Sequence, residues 1–160
     1  RCWTTIPRGV RCHPGQRAGI SIRNSIQSNK GYTKDVLTLA INTATRINAL
    51  ALLRGGKVLS EVSWKSKSDE TEKLLPAIDK LLKKNKVLLK DIEQIIVVRG
   101  PGSFSSVRIG ITTANTLSMV LSCPIVSVAT EVLMEAQLTT KADILIHAGG
   151  RTISLWENGK

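Results

Sequence analysis

The sequence predicts an α/β fold, a mixed sheet covered by helices, and three observations lead there. Apolar runs of strand length recur at 36–45, 48–53, 57–64, 94–98 and 125–130. Two longer segments, 69–84 and about 103–121, carry apolar residues at helical spacing. The resulting order is β-β-β-α-β-α-β with a short added helix. It combines a hairpin meander, which pairs antiparallel, with crossovers long enough for parallel pairing. It is not the repeating βαβ of a dinucleotide-binding fold.

Each element has its own reason. VLTLAINTAT, 36–45, is a continuous apolar run ending in small polar residues, the pattern of a strand buried on both faces. NALALL, 48–53, is a second strand, and Arg54-Gly55-Gly56-Lys57 is a hairpin turn. KVLSEVSW, 57–64, alternates and makes the third strand. In DETEKLLPAIDKLLKKN, Asp69 and Glu72 have the spacing of a capping box. Leu74, Leu75, Ile78, Leu81 and Leu82 form one helical face, and Pro76 is expected to kink the helix or mark its true start. Lys83, Lys84 and Lys86 suit a helix C-terminus electrostatically, so the lysine run needs no nucleic acid to explain it.

QIIVV, 94–98, is the fourth strand, and it runs into the most informative stretch, RGPGSFSSVRIG, 99–110. The helix that follows stops at Pro124; IVSVAT, 125–130, is the fifth strand, and a short helix covers 131–137. ADILIHA and TISLWENG flank Gly149-Gly150 as a further hairpin, expected to begin a second lobe that is truncated. The organisation is therefore a basic segment over 1–35, disordered or non-native, a first lobe over 36–138, and the start of a second over 139–160.

Composition narrows the function. Aromatic residues are confined to Trp3, Trp64, Trp156, Tyr32 and Phe104, so the core is aliphatic. The net charge is +11, but residues 1–34 hold seven Lys/Arg and no Asp/Glu, while the remainder holds sixteen against twelve. The main body is only mildly basic, which weakens a nucleic-acid-gripping role for it. Three cysteines without framework spacing indicate a reducing, cytoplasmic setting, with Cys123 a small core residue. No apolar run reaches membrane-spanning length. The head begins with arginine and has no apolar signal region; its Cys2, Cys12 and His13 do not fit a zinc knuckle.

Gly100 and Gly102 permit backbone angles or close approaches that other residues resist. Ser103 is placed to cap the following helix, whose first amides could hold an anion with help from Arg108 one turn on. A P-loop requires Gly-Lys-Ser/Thr, where this chain has Phe104-Ser105-Ser106. A nucleophilic Ser103 would need a base, and only His13 and His147 exist. Along the helix, Val107, Ile111, Ala114, Ser118 and Leu121 form one stripe, and Ser106, Gly110, Thr113 and Leu117 another. So small a surface suits close approach, either to this domain's own sheet or to another subunit. The carboxylates are scattered, and the chain reads as a scaffold.

AINTAT at 40–45, KLLPAIDKLL at 73–82 and RGPGSFSSVRIG at 99–110 closely resemble the TsaB (YeaZ-like) family, over about 36–136. The resemblance implies an actin-like ATPase (ASKHA, ribonuclease H-like) lobe with a mixed five-stranded sheet. It implies a non-catalytic subunit of the machinery forming N6-threonylcarbamoyladenosine at tRNA position 37. Its partners would be a TsaD-type catalytic subunit, a TsaE-type ATPase and, through the complex, tRNA; alone it would form a homodimer. ATP and a metal would be used by the partners, and this chain would hold no catalytic residue, metal or cofactor.

On this resemblance the partner interface is expected at Leu74, Leu75, Ile78, Leu82, Ser106, Gly110, Thr113 and Leu117. A structural turn able to contact an anion is expected at Gly100, Gly102, Ser103 and Arg108. The family usually has an acid where Asn42 stands, Thr-Gly where Ser105-Ser106 stands, and a histidine where Glu70 stands. The alternatives are an ATP-dependent phosphotransferase or metallopeptidase-like enzyme of the same superfold, and a nucleic-acid-binding module resting on the basic head.

Overall fold

A computed structural model describes residues 35–136, 143–148 and 153–157. The basic head through residue 34, with Cys2, Cys12 and His13, lies outside the described residues, as does the Gly149-Gly150 turn.

Five strands form one sheet in the order β3-β2-β1-β4-β5. They are β1 (Leu37–Asn42), β2 (Ile47–Arg54), β3 (Lys57–Lys65), β4 (Gln94–Val98) and β5 (Ile125–Val128). β1 pairs antiparallel with β2, from Leu37↔Arg54 to Asn42↔Ala49, and β2 pairs antiparallel with β3. β1, β4 and β5 run parallel, with Leu39↔Ile95 and Ile96↔Val126 in register. The meander and the crossovers thus share one mixed sheet. β1 lies at its centre with all six residues buried, which is why its sequence is an unbroken apolar run. β3, at the edge, alternates instead. The Arg54–Lys57 hairpin turns on Gly55 and Gly56, both at positive φ.

Two long helices pack on one face of this sheet: α1 (Glu70–Lys84) beside β2 and β3, and α2 (Phe104–Leu121) beside β4, β1 and β5. Leu39, Ile41, Leu50, Leu52, Ile95 and Val97 meet Leu74, Ile78, Leu81 and Leu82 of α1 and Ala114 of α2 in the main core. The opposite face presents Ala40, Ala51, Leu53, Ile96 and Val98 to Leu133 of α3 (Thr130–Glu135). A separate antiparallel pair, β6 (Ile144–His147) and β7 (Ile153–Trp156), touches α3 through β6.

Several local expectations change. Asp69 occupies the α1 N-cap but makes no capping hydrogen bond; its carboxylate pairs with Lys73 instead. That ion pair holds the Asp69 carboxyl below its ordinary value. Pro76 lies within α1, six residues past its start. The carbonyl its ring deprives of a donor belongs to Glu72, an exposed residue in the first turn. Ser103 is the N-cap of α2 without a capping hydrogen bond, and its hydroxyl instead accepts from Ser106 Oγ at 3.2 Å. α2 ends two residues before Pro124 in a left-handed Ser122, with Ser118 Oγ donating to the Cys123 carbonyl at 2.6 Å. Cys123 is buried, and burial raises its thiol pKa.

The helical face read from α1 splits sharply. Leu74 is 1% exposed and Leu75 is 56% exposed. Leu74→Ala should therefore lower unfolding free energy by about 2–5 kcal/mol in a urea titration. Leu75→Ala should stay within about 0.5 kcal/mol of the parent chain.

Candidate functional site

The carboxyl ends of the three parallel strands β1, β4 and β5 converge at one edge of the sheet, where open α/β folds place their sites. After β1 the chain folds into a tight polar corner. Asn42 Oδ1 accepts from the Ala44 N–H at 3.0 Å, Asn42 Nδ2 donates to Thr45 Oγ1 at 3.2 Å, and Thr45 Oγ1 donates to the Ile47 carbonyl at 2.7 Å. Thr43, with no exposed surface, donates its hydroxyl to the Ser106 carbonyl in α2 at 2.7 Å.

The glycine-rich turn lies directly against this corner. A Cβ on Gly102 would overlap the Ala44 carbonyl, and a Cβ on Gly110 would overlap Thr43 Oγ1. Gly100 takes φ +97°, a left-handed backbone that other residues rarely adopt. Its carbonyl accepts from the Thr130 N–H at 2.9 Å, while the Arg99 N–H donates to the Val128 carbonyl at 2.9 Å. Turn, corner and the start of α3 are thereby locked together.

A second polar cluster lies where α1 begins. Glu70 is 2% exposed, yet its carboxylate accepts from Asn48 Nδ2 at 3.1 Å and from Ser66 Oγ. Burial alone would push this carboxyl up. The Ser66 and Asn48 hydrogen bonds, with smaller help from its own backbone N–H and Ser106, outweigh that and hold it below the ordinary glutamate value. An acid in the first turn of a helix is ordinary in sequence, so nothing there distinguishes Glu70 from its exposed neighbour Glu72.

The expected site residues are placed as follows. Gly100 and Gly102 are buried in the turn, and Ser103 is exposed at its end. The Arg108 guanidinium lies over the Phe104 ring, 5.1 Å from the centroid, and both residues are exposed. Of the residues expected to face a partner, Leu74, Ile78 and Leu82 are in the main core, and Ser106 and Gly110 are enclosed against Thr43. No partner reaches those five without opening the lobe, because the small-residue stripe of α2 approaches its own sheet. Thr113 and Leu117 are half-buried, and Leu75 is on the surface.

A mixed five-stranded sheet with both long helices on one face and a glycine-rich turn at its carboxyl edge resembles the actin-like ATPase fold. A Bacteroides thetaiotaomicron protein with an actin-like ATPase fold and unknown function superposes with a TM-score of 0.50 at 15% identity, over 78% of this chain and 45% of that one, a likeness of fold alone. A family model described as TsaD, tRNA N6-adenosine threonylcarbamoyltransferase, matches residues 57–159, and the chain belongs to this family. Within it the resemblance is to TsaB (YeaZ) proteins. The tRNA threonylcarbamoyladenosine biosynthesis protein TsaB of Bacillus subtilis is 37% identical over 91 residues, 57% of this chain and 40% of that protein. YeaZ from Pseudomonas aeruginosa superposes with a TM-score of 0.56 at 32% identity, over 59% of this chain and 44% of that one. The match thus spans less than half the length of these relatives.

Two predictions follow from the corner. Gly110→Ala should cost about 1–3 kcal/mol through overpacking against Thr43. Adding Thr43→Ala should make the double variant lose less than the two single losses combined, measured by denaturant unfolding.

The Glu70 cluster predicts a pH dependence. A carboxyl whose folded pKa is depressed contributes stability above its unfolded pKa, and that contribution disappears as pH falls through the folded pKa. Acid titration should therefore destabilise the chain progressively from the ordinary glutamate range downward. Glu70→Gln should be less stable at neutral pH by about 1–3 kcal/mol and should show a shallower acid dependence.

Proposed function

We propose that this chain is a non-catalytic partner of a TsaD-type transferase in forming N6-threonylcarbamoyladenosine at position 37 of tRNA. In this reading residues 36–138 are the partner-binding lobe. The assembly works in the cytoplasm with a TsaE-type ATPase, and tRNA joins it through the complex.

The observation that carries the reading is an apolar surface on the outer sides of the two long helices. Leu75 on α1 is 56% exposed, and Met119 and Val120 on α2 are 80% and 72% exposed. Side chains of that kind are left bare by the lobe's own packing and gain stability when a partner covers them. The kinship to TsaB proteins supplies the chemistry of the partner. Among the described residues no three His, Cys, Asp or Glu side chains are grouped to hold a metal ion.

Leu75→Glu and Met119→Glu, each made alone, should weaken association with a TsaD-type subunit by about tenfold or more in titration calorimetry. Thermal midpoints should stay unchanged, because both side chains are at the surface. Full-strength binding by both variants would remove the helices from the interface.

A further inference from the structure

A groove of about 500 Å3 runs between α1 and the edge strand β3, on the flank of α1 opposite Leu75. Val62, Trp64, Ala77 and Leu81 line it with apolar surface, and Lys80 and Lys84 stand on its helix wall. We propose that this groove takes an extended peptide segment of a partner protein, apolar along its length and acidic at one end, which adds to β3 as a sixth strand.

Three features argue for that occupant. β3 is the outermost strand of its sheet, so among the described residues the side turned away from β2 pairs with no strand. An extended segment would supply the missing main-chain hydrogen bonds and send alternate side chains towards α1. The nine residues of β3 are long enough for such pairing. Lysines that commonly protect an edge stand only at its two ends, Lys57 and Lys65, and leave 60–64 open.

Charge then orients the segment. Chain direction reverses between β3 and α1, which brings Lys80 and Lys84 beside the Ser60 end of the groove and Glu72 and Lys73 beside the Trp64 end. Lys73 is neutralised by Asp69. An antiparallel guest therefore places its carboxyl-terminal half beside Lys80 and Lys84, which calls for acidic residues there.

Two other occupants fit less well. A second copy pairing antiparallel along the whole of β3 would set Lys57 against Lys65 and Glu61 against Glu61, like charges directly opposite one another. A nucleic acid would meet Glu61 and Glu72 in the groove as well as the lysines.

The probe is a fluorescein-labelled peptide matching the nine residues of β3 in length, alternating valine and threonine and ending in two aspartates. Added to the full chain without any other subunit, it should give a saturable rise in anisotropy. The double variant Lys80→Glu/Lys84→Glu, with its fold checked by circular dichroism, should bind about tenfold more weakly or worse. Methylating alternate peptide nitrogens should weaken binding as much, because it removes the main-chain donors. Absence of saturable binding, or indifference to N-methylation, would overturn the proposal. So would displacement of the peptide by oligouridylate, or a doubling of mass in sedimentation that Lys57→Glu alters while the peptide fails to bind. The assay contains no transferase, so its result is separate from that of the helix-surface variants.

Discussion

The close approach of the β1–β2 corner to the first turns of α2 is the constraint on which the rest of the lobe depends. Ala44 and Thr43 fill the volumes that side chains at 102 and 110 would need. The Thr43 hydroxyl then bonds the Ser106 carbonyl across the gap. This contact fixes the height of α2 above the sheet, and with it how far Ala114, Ile111 and Leu117 reach into the main core. It also explains the Gly-Pro-Gly sequence. Gly102 is small because the chain's own backbone occupies its neighbourhood, a packing role that leaves no need for an anion to account for it.

The same contact determines which parts of the helices are available. A stripe of small residues can serve a neighbouring subunit or the parent sheet, and spacing alone does not separate the two. Here Gly110 meets Thr43, which precedes it by more than sixty residues and directly follows the most buried strand. Intramolecular packing therefore uses the stripe. What remains outside is the opposite face of α2, with Met119, and one flank of α1, with Leu75. The surface left exposed is accordingly less regular than the periodic face that marks each helix in sequence.

Much of the architecture was legible because it rests on local chemistry. The bounds of β4, 94–98, are plain in the sequence, since the apolar run is short and bounded by a charged connector and by Gly100. The sheet's mixed character followed from the Gly-Gly hairpin and the long crossovers. The capping of α1 is not legible in the same way, because Asp69 has two partners at helical distance and Lys73, a cation, outcompetes the backbone amides. The stacking of the Arg108 guanidinium on the Phe104 ring, four residues back along α2, is a contact that the order of the sequence does not single out. Glu70 could not be singled out at all: its burial depends on Asn48 and Ser66, which come from β2 and the end of β3.

Placing α1 and α2 on one face of the sheet has a further consequence. Each helix turns one face to the sheet, and its flanks stay partly open. On α1 those flanks differ in character: Leu75 is on one, and Lys73, Lys80 and Lys84 line the groove on the other. An apolar flank favours a close, dry contact with another helix, whereas a groove with cations on one wall and an open strand edge on the other favours an extended chain. The two surfaces are back to back on a single helix anchored by Leu74, Ile78, Leu81 and Leu82.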